Sequence, residues 1–398
     1  MRIGMMADVY KPHVSGITNY ITLNKRYLEK AGHDVFVFTF GNEDYKDDET
    51  NIIRSPGLPL RDTGYYLSFR YSRQAKTLLQ TMDIVHVHHP FLSGRLALRY
   101  CRPLRIPIVF TNHTRYDLYA QTYLPLLPDE FSETFLQTYM PSFCDAVDLV
   151  ISPSKGMAGI LRQLGVTAPI EIIPNGVDLT PFCESCKECR HELNFSPQDI
   201  LLIYSGRLAP EKNLPFLIQA FAGVAEAIEH THLLLIGGGP EEENLRKLVA
   251  EKGLTQRVHF TGMVPYDQLP RYLSMGDIFV TASISEVHPL SVIEAMACGL
   301  PVVGVHSVGV GDTVEDGVTG LLSSNDPIAF AAKLTRLCLD QPLRHKMSAA
   351  ARTASEKYAI ERTTKIMLSH YERIVFDGHK RQHGLQYRIN SFVEKFRL

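Results

Sequence analysis

Two cations and two carboxylates pose the first chemical question of this sequence. In Ser205-Gly206-Arg207-Leu208-Ala209-Pro210-Glu211-Lys212-Asn213, Arg207 and Lys212 stand five positions apart around a glycine turn, after one apolar run and ahead of another. A diphosphate needs this arrangement. A guanidinium holds phosphate oxygens bidentately, an ammonium adds a point charge, and the loop offers backbone N–H donors. The plain alternative is a solvated turn whose cations pair with Glu211.

The carboxylates lie in Glu286-Val287-His288-Pro289-Leu290-Ser291-Val292-Ile293-Glu294-Ala295-Met296-Ala297-Cys298-Gly299-Leu300-Pro301. Pro289 suits a first helical position, Gly299 a C-cap and Pro301 a stop, which predicts a short helix over 289–298 with Glu286 in the loop before it. The N–H groups of Leu290 and Ser291, with the helix dipole, favour an anion, and Glu294 further along can accept from paired sugar hydroxyls. The alternative makes both glutamates exposed helix charges. A glycosidase pair is a poor fit, since it needs carboxyl groups about 5–9.5 Å apart across a sugar. Eight positions, partly along a helix rising about 1.5 Å per residue, do not suit that geometry.

Such residues need elements to hold them. The 398 residues suffice for two or three domains at about 150 each. Apolar runs at 3–7, 34–40, 83–88, 106–111 and 149–152 read as buried strands separated by crossover-length segments, with a Pro/Gly-punctuated loop over 11–16 and a helix over 18–31. A last strand over 170–178 ends in Pro174-Asn175-Gly176, and residues 183–197 are polar with little periodicity, as an interdomain loop would be. A second series follows at 200–205, 231–237, 258–261, 278–282, 301–305 and 320–322. Strands alternating with helices mean parallel sheets. The expected fold is therefore α/β, two Rossmann-like doubly wound parallel-sheet domains facing a central cleft, divided as 1–175 and 176–370, with a helix over 371–398 packing back on the first domain.

Gly206-Arg207 through Lys212, the Glu286 to Glu294 spacing, Ile173-Pro174-Asn175-Gly176-Val177-Asp178, Gly237-Gly238-Gly239-Pro240 and Val85-His86-Val87-His88-His89-Pro90 together resemble glycosyltransferase family 4, over nearly the whole chain. The resemblance implies the GT-B fold and a retaining hexosyltransferase using a nucleoside diphosphate sugar. It implies an acceptor-binding first domain and a nucleotide-sugar-binding second one. Arg207 and Lys212, with Gly206, would hold the diphosphate, Glu294 the ribose hydroxyls and Glu286 the transferred sugar. Gly16 would let the amino-terminal loop approach phosphate or acceptor, and His113 matches the family histidine beside the anomeric centre; otherwise it is a hydrogen-bonded histidine ending a strand. No cofactor is required, no metal residue is expected, and Mg²⁺ is implied by no motif. The chain departs from its relatives at His288-Pro289, where they carry glycine, and at Ser15-Gly16, where they carry two glycines.

Between residues 51 and 115 stand ten cations (Arg54, Arg61, Arg70, Arg73, Lys76, Arg95, Arg99, Arg102, Arg105, Arg115) against two anions (Asp62, Asp83), interleaved with Tyr65, Tyr66, Leu67, Phe69 and Tyr71. This composition suits an anionic membrane surface, or simply a solvated helix face. The segment from Arg115 to Pro128, with Tyr116 and Tyr119, is apolar enough to line an acyl-chain site or to be core, and is similar to bacterial enzymes that glucosylate diacylglycerol. The expectation is transfer of a hexose, glucose favoured, from a nucleoside diphosphate sugar, a UDP-sugar favoured, to a hydroxyl of a diacylglycerol-type lipid or a carbohydrate acceptor. A GDP-mannose-dependent mannosyltransferase and a non-catalytic nucleotide-sugar-binding partner subunit are the alternatives.

The composition, 45% hydrophobic and 21% charged, excludes disordered and fibrous classes, and a net charge of -2 gives no footprint for nucleic acid. Seven cysteines, with no apolar leader at the amino end and no run of about 18 apolar residues, suggest a cytoplasmic protein with reduced thiols, peripheral at the inner face of the membrane if it meets one. Cys183, Cys186 and Cys189 with His191 have partial metal-ligand spacing, but no second cysteine pair follows. A nicotinamide enzyme would show G-x-G-x-x-G after a strand, and Gly237-Gly238-Gly239-Pro240 lacks the third glycine.

Overall fold

A run such as Ile200-Leu201-Leu202-Ile203-Tyr204-Ser205 has almost no polar face, so it is stable only where both sides are covered. The computed structural model, which describes residues 1–13, 15–42, 44–60, 66–118, 129–182 and 187–383, buries such runs as the inner strands of two parallel sheets. The first sheet contains β1 (Arg2–Met6), β2 (Asp34–Phe40), β3 (Ile52–Ser55), β6 (Ile84–Val87), β7 (Ile108–Thr111), β8 (Leu149–Ser152) and β9 (Ile170–Ile172), in the order β3-β2-β1-β6-β7-β8-β9. A separate two-stranded antiparallel ribbon pairs β4 (Leu58–Pro59) with β5 (Tyr66–Leu67). The second sheet contains β10 (Ile200–Ser205), β11 (Thr231–Ile236), β12 (Val258–Gly262), β13 (Ile278–Thr281), β14 (Val302–Val305) and β15 (Gly320–Ser323), in the order β12-β11-β10-β13-β14-β15. Both orders run outward from the first strand of the sheet and then reverse, which is the doubly wound pattern.

The chain divides into two compact units, Met1–Gly176 with Ile360–Leu398, and Val177–Ala359. The return to the first unit thus begins at Ile360, where the sequence suggested 371. Met367 and Tyr371 of the helix Ile360–His383 are buried in the core built by Ile3, Tyr20, Ile21 and Leu28, each adding about 2 kcal/mol of burial. Thr364 Oγ1 donates to Asn24 Oδ1 at 3.3 Å on the helix Gly16–Lys30. Gly176 allows this packing, since a Cβ there would stand 2.2 Å from Thr363 Oγ1. Residues 384–398 of the expected carboxy-terminal helix lie outside the described residues.

Three expectations are corrected. The strand expected over 170–178 stops at Ile172, because Pro174 has no N–H to continue the ladder. The polar segment expected as a linker is partly built into the second unit. Arg190 is 7% exposed, donates to the Met275 carbonyl at 2.6 Å and pairs with Asp277 at 2.7 Å. The helix expected over 289–298 runs Leu290–Ala297, with Pro289 as an extended N-cap (φ -75°, ψ 109°) and not a first helical residue. The short strand β3 and the β4–β5 ribbon carry too few apolar residues to stand out in the sequence.

Candidate active site

In a doubly wound sheet the loops on either side of the order reversal splay apart at the strand carboxyl ends. In the second unit those are the loops after β10 and β13, and they carry Arg207, Lys212 and Glu286. The two loops are tied together. Ser283 and Ser285 both donate to the Glu211 carbonyl (3.3 and 3.2 Å), and Asn213, in left-handed backbone (φ 54°), donates to the Ala282 carbonyl at 3.4 Å. Lys212 Nζ then reaches Glu286 Oε1 at 2.5 Å, with both side chains 22% exposed. The ammonium therefore pairs with Glu286 across the loops, a partner that the solvated-turn alternative did not include. Arg207, earlier in the same loop as Lys212, is exposed.

The glycines explain how the cation loop keeps its shape. Gly206 has φ +154°, and a Cβ would meet the Tyr204 hydroxyl at 2.8 Å, where Tyr204 donates to the Arg207 carbonyl at 3.0 Å. A Cβ on Gly237 would stand 2.1 Å from the Gly206 carbonyl oxygen, and one on Gly239 2.3 Å from that of Leu208. The glycine run thus serves as a bed on which the Gly206-Arg207-Leu208 loop lies.

Glu294 is 5% exposed, so it is no surface helix charge, and its Oε1 accepts from the Tyr266 hydroxyl at 2.8 Å. Burial pushes its carboxyl up to about 7, with the Tyr266 hydrogen bond pulling the other way. Burial and the neighbouring Glu294 hold the Tyr266 phenol above its usual range. Leu290 and Ser291 are half-buried at the start of the same helix. His288 turns inward, its ring 5.0 Å from that of Tyr358 and its basicity pushed down to about 3 by burial. The departure at 288–289 therefore places a neutral packed ring in the loop.

In the first unit the order reverses between β1 and β6. Asn112 and His113 follow β7, next to β6. The half-buried His113 ring packs edge-on to Tyr20 (centroids 4.6 Å), and its Nε2 lies 3.1 Å from His88 Nδ1. The His88 and His86 rings are 4.2 Å apart, and His86 is held at both nitrogens, by the Tyr371 hydroxyl at 2.5 Å and by Thr111 Oγ1 at 2.6 Å. Burial pushes His86 down to about 3, and burial with the neighbouring histidines holds His88 and His113 well below the imidazole range, so the cluster is neutral. Asp8 accepts from the first N–H groups of the helix Leu92–Tyr100, at 2.7 Å from Ser93, and anchors it beside this cluster.

Gly16 is exposed at the start of its helix, capped by Ser15, and a Cβ there would meet nothing within 4 Å. Tyr116 is 2% exposed and packs edge-on against Phe91, inside the unit. Tyr119, Cys183 and Cys186 lie outside the described residues. Among the described residues no group of three or more His, Cys, Asp or Glu side chains is arranged to hold a metal ion, and no helix is long and apolar enough to cross a membrane. Of the ten cations between 51 and 115, Arg54 and Arg115 are consumed in close pairs with Asp47 and Asp117, and Arg61 lies outside the described residues. The other seven are exposed. Lys76 and Arg99, from two helices, both lie over Tyr100 (5.3 and 5.7 Å), and a 210 Å³ groove beside them is lined by Ser68, Phe69, Leu92, Arg95, Leu96 and Arg99.

The sequence motifs included His88 without giving it a role, and gave none to Tyr204 or Tyr266. Nothing in spacing marks the two tyrosines: Tyr204 turns back to a backbone carbonyl three residues on, and the partner of Tyr266 lies on another element.

The family model for Glycosyl transferases group 1 matches residues 187–354, and that for Glycosyltransferase Family 4 matches 14–181. The chain is 30% identical to an alpha-monoglucosyldiacylglycerol synthase of Streptococcus pneumoniae over 81% of this chain and 75% of that one. It is 28% identical to the synthase of the same name from Acholeplasma laidlawii, over 81% and 84%. Among solved structures, Anabaena HepE in complex with UDP and glucose superposes with a TM-score of 0.76 at 20% identity, covering 94% of this chain and all of that one. Sucrose-phosphate synthase from Thermosynechococcus elongatus gives 0.76 at 23%, covering 94% and 98%. Both have the GT-B fold found here.

Proposed function

This chain belongs to glycosyltransferase family 4, as a retaining hexosyltransferase with a nucleotide-sugar donor, and we propose that it moves glucose from UDP-glucose to the hydroxyl of a diacylglycerol-type membrane lipid. The observation that carries the donor half is the Lys212–Glu286 pair, with the exposed Arg207 earlier in the same loop. A diphosphate supplies the anion that Lys212 now takes from Glu286. Binding the donor therefore turns the ammonium to phosphate and leaves the Glu286 carboxylate to accept hydroxyls of the transferred sugar. Arg207 holds the diphosphate bidentately, the N–H groups of Leu290 and Ser291 add donors, Glu294 accepts the ribose hydroxyls, and His113 meets the sugar near its anomeric carbon.

Transfer proceeds by front-face substitution. The acceptor oxygen bonds to the anomeric carbon as the bond to the diphosphate oxygen breaks. The departing phosphate takes the hydroxyl proton, and configuration is retained. Negative charge grows on the leaving group, where Arg207 and Lys212 stabilise it.

Two features support a lipid acceptor: the similarity to two diacylglycerol glucosyltransferases, and the exposed basic face from Arg70 to Arg105 with Phe69 67% exposed beside it. Such a face suits the anionic surface in which the acceptor would be dissolved. The test is transfer of labelled sugar from UDP-glucose, and in parallel from GDP-mannose, to diacylglycerol dispersed in phosphatidylglycerol. The expected product is an α-linked glucolipid formed from UDP-glucose. Transfer from GDP-mannose alone would replace the donor, and transfer only to water-soluble acceptors would replace the lipid. UDP binding that depends on Arg207 but yields no product would leave the non-catalytic partner subunit.

A further inference from the structure

We infer that His88 decides which ring nitrogen of His113 carries the proton, fixing His113 as the Nδ1–H tautomer, a hydrogen-bond donor at the nitrogen that His88 does not engage. Its consequence for the reaction rests on the placement of His113 at the donor sugar proposed above.

A neutral imidazole has one N–H and one lone pair. His88 is fully buried, its Nδ1 lies 3.1 Å from His113 Nε2, and its own Nε2 is buried without a hydrogen-bond partner. A proton on Nε2 would leave an orphaned N–H in the interior. A proton on Nδ1 leaves only an unused lone pair there, which costs less. His88 therefore donates from Nδ1 to His113 Nε2, and His113, neutral as well, keeps its single proton on Nδ1.

The rings cannot easily turn to evade this. His86, its ring tilted by 39° and 4.2 Å from that of His88, is fixed at both ends by Tyr371 and Thr111, and Tyr20 lies against both His88 (5.6 Å) and His113 (4.6 Å). Burial comes first in keeping His88 and His113 neutral, and the titratable neighbours that add to it are other histidines, His86 and His89 among them. A His113 in this tautomer offers an N–H to a sugar hydroxyl and has no lone pair at Nδ1 with which to take the acceptor's proton. Deprotonation then falls to the leaving phosphate. His88 is a positioning residue, acting through His113.

The test reads the tautomer directly. Long-range proton–nitrogen correlation spectra of the full chain labelled with ¹⁵N-histidine, assigned with His88 and His113 variants, should show His113 protonated at Nδ1 in the wild type and as a mixture of tautomers in H88L. Turnover of H88L should fall about 100-fold with the donor KM little changed, and H88N, whose amide returns an N–H near the Nδ1 position, should recover most of that loss. A wild-type His113 protonated at Nε2 overturns the inference whatever the kinetics. So do equal losses in H88L and H88N with the Nδ1 tautomer kept in both. His113→Ala with full turnover would instead overturn the placement of His113 at the sugar, which the spectra do not depend on.

Discussion

In the first unit the candidate histidine is one of several neutral rings fixed to one another, while in the second Lys212 and Glu286 form a partly exposed ion pair. His86, His88 and His113 are kept uncharged by burial, and their contribution is the direction of a hydrogen bond. Lys212 and Glu286 lie at 22% exposure, where a diphosphate can displace one partner. The difference teaches where each half of the chemistry belongs. Charge that develops on a leaving diphosphate needs cations free to follow it, whereas a sugar held beside its reacting carbon needs a donor that does not move.

The comparison breaks most sharply at the cations. Arg207→Ala and Lys212→Ala should each lower kcat by about a thousandfold, the scale of removing one preorganised transition-state donor. His113→Ala, which removes a neutral donor, should cost about a hundredfold. Steady-state kinetics with the preferred donor settles the ranking. Equal losses at all three, or near wild-type rates at either cation, would erase the contrast.

Acidity separates the units with opposite signs. His86 is pushed from the ordinary 6.5 to about 3, so the folded state binds fewer protons than the unfolded one. Its contribution is whole above pH 6.5 and is lost as pH falls toward 3, at about 1.4 kcal/mol per pH unit. Urea midpoints of His86→Asn should be less sensitive than those of the wild type to acidification from pH 7.5 to 5.5. Glu294, raised from 4.5 to about 7, runs the other way. Its contribution to stability is present below pH 4.5 and is lost as pH rises through 7. The carboxylate proposed to accept ribose hydroxyls forms in that same rise, so UDP affinity should strengthen with pH and fall by about tenfold between pH 7.5 and 6. Titration of Glu294→Gln should give a weaker and flat profile. A wild-type profile as flat as that of the variant would remove Glu294 from the ribose.

Most of the frame was legible because burial on both faces leaves an unmistakable run of apolar residues, as at Asp34–Phe40, Leu149–Ser152 and Ile200–Ser205, where expected and observed bounds coincide. Arg207, Lys212, Glu286 and Glu294 were legible because each unit's loops are short and the spacing is local. The illegible part consists of partnerships made across loops. Nothing in the chain announces that Lys212 meets Glu286, that Tyr266 caps Glu294, or that Arg190, in a segment that reads as a linker, is buried against Met275 and Asp277. The place of the His288 ring was equally illegible: the sequence shows only a departure from glycine, and the fold packs the ring on Tyr358.

The smallest effect sharpens the comparison at the outer surface. The described cations from Arg70 to Arg105 all belong to the first unit and remain exposed, while Arg54 and Arg115 are already matched by Asp47 and Asp117. If the exposed set meets an anionic membrane, each arginine near the surface contributes about 1 kcal/mol, or about fivefold in partitioning, and salt should weaken it. Arg70→Gln and Arg73→Gln should each reduce sedimentation with phosphatidylglycerol vesicles by about that factor at low salt and by less at high salt. UDP affinity should be untouched, because neither residue belongs to the unit that carries Arg207 and Lys212. Arg115→Gln makes the control. Arg115 is 8% exposed and its guanidinium is committed to Asp117, so the change should leave vesicle binding where it was and cost stability instead. Equal losses of binding at Arg70, Arg73 and Arg115 would mean that net charge, and not an exposed face of the first unit, brings the protein to lipid.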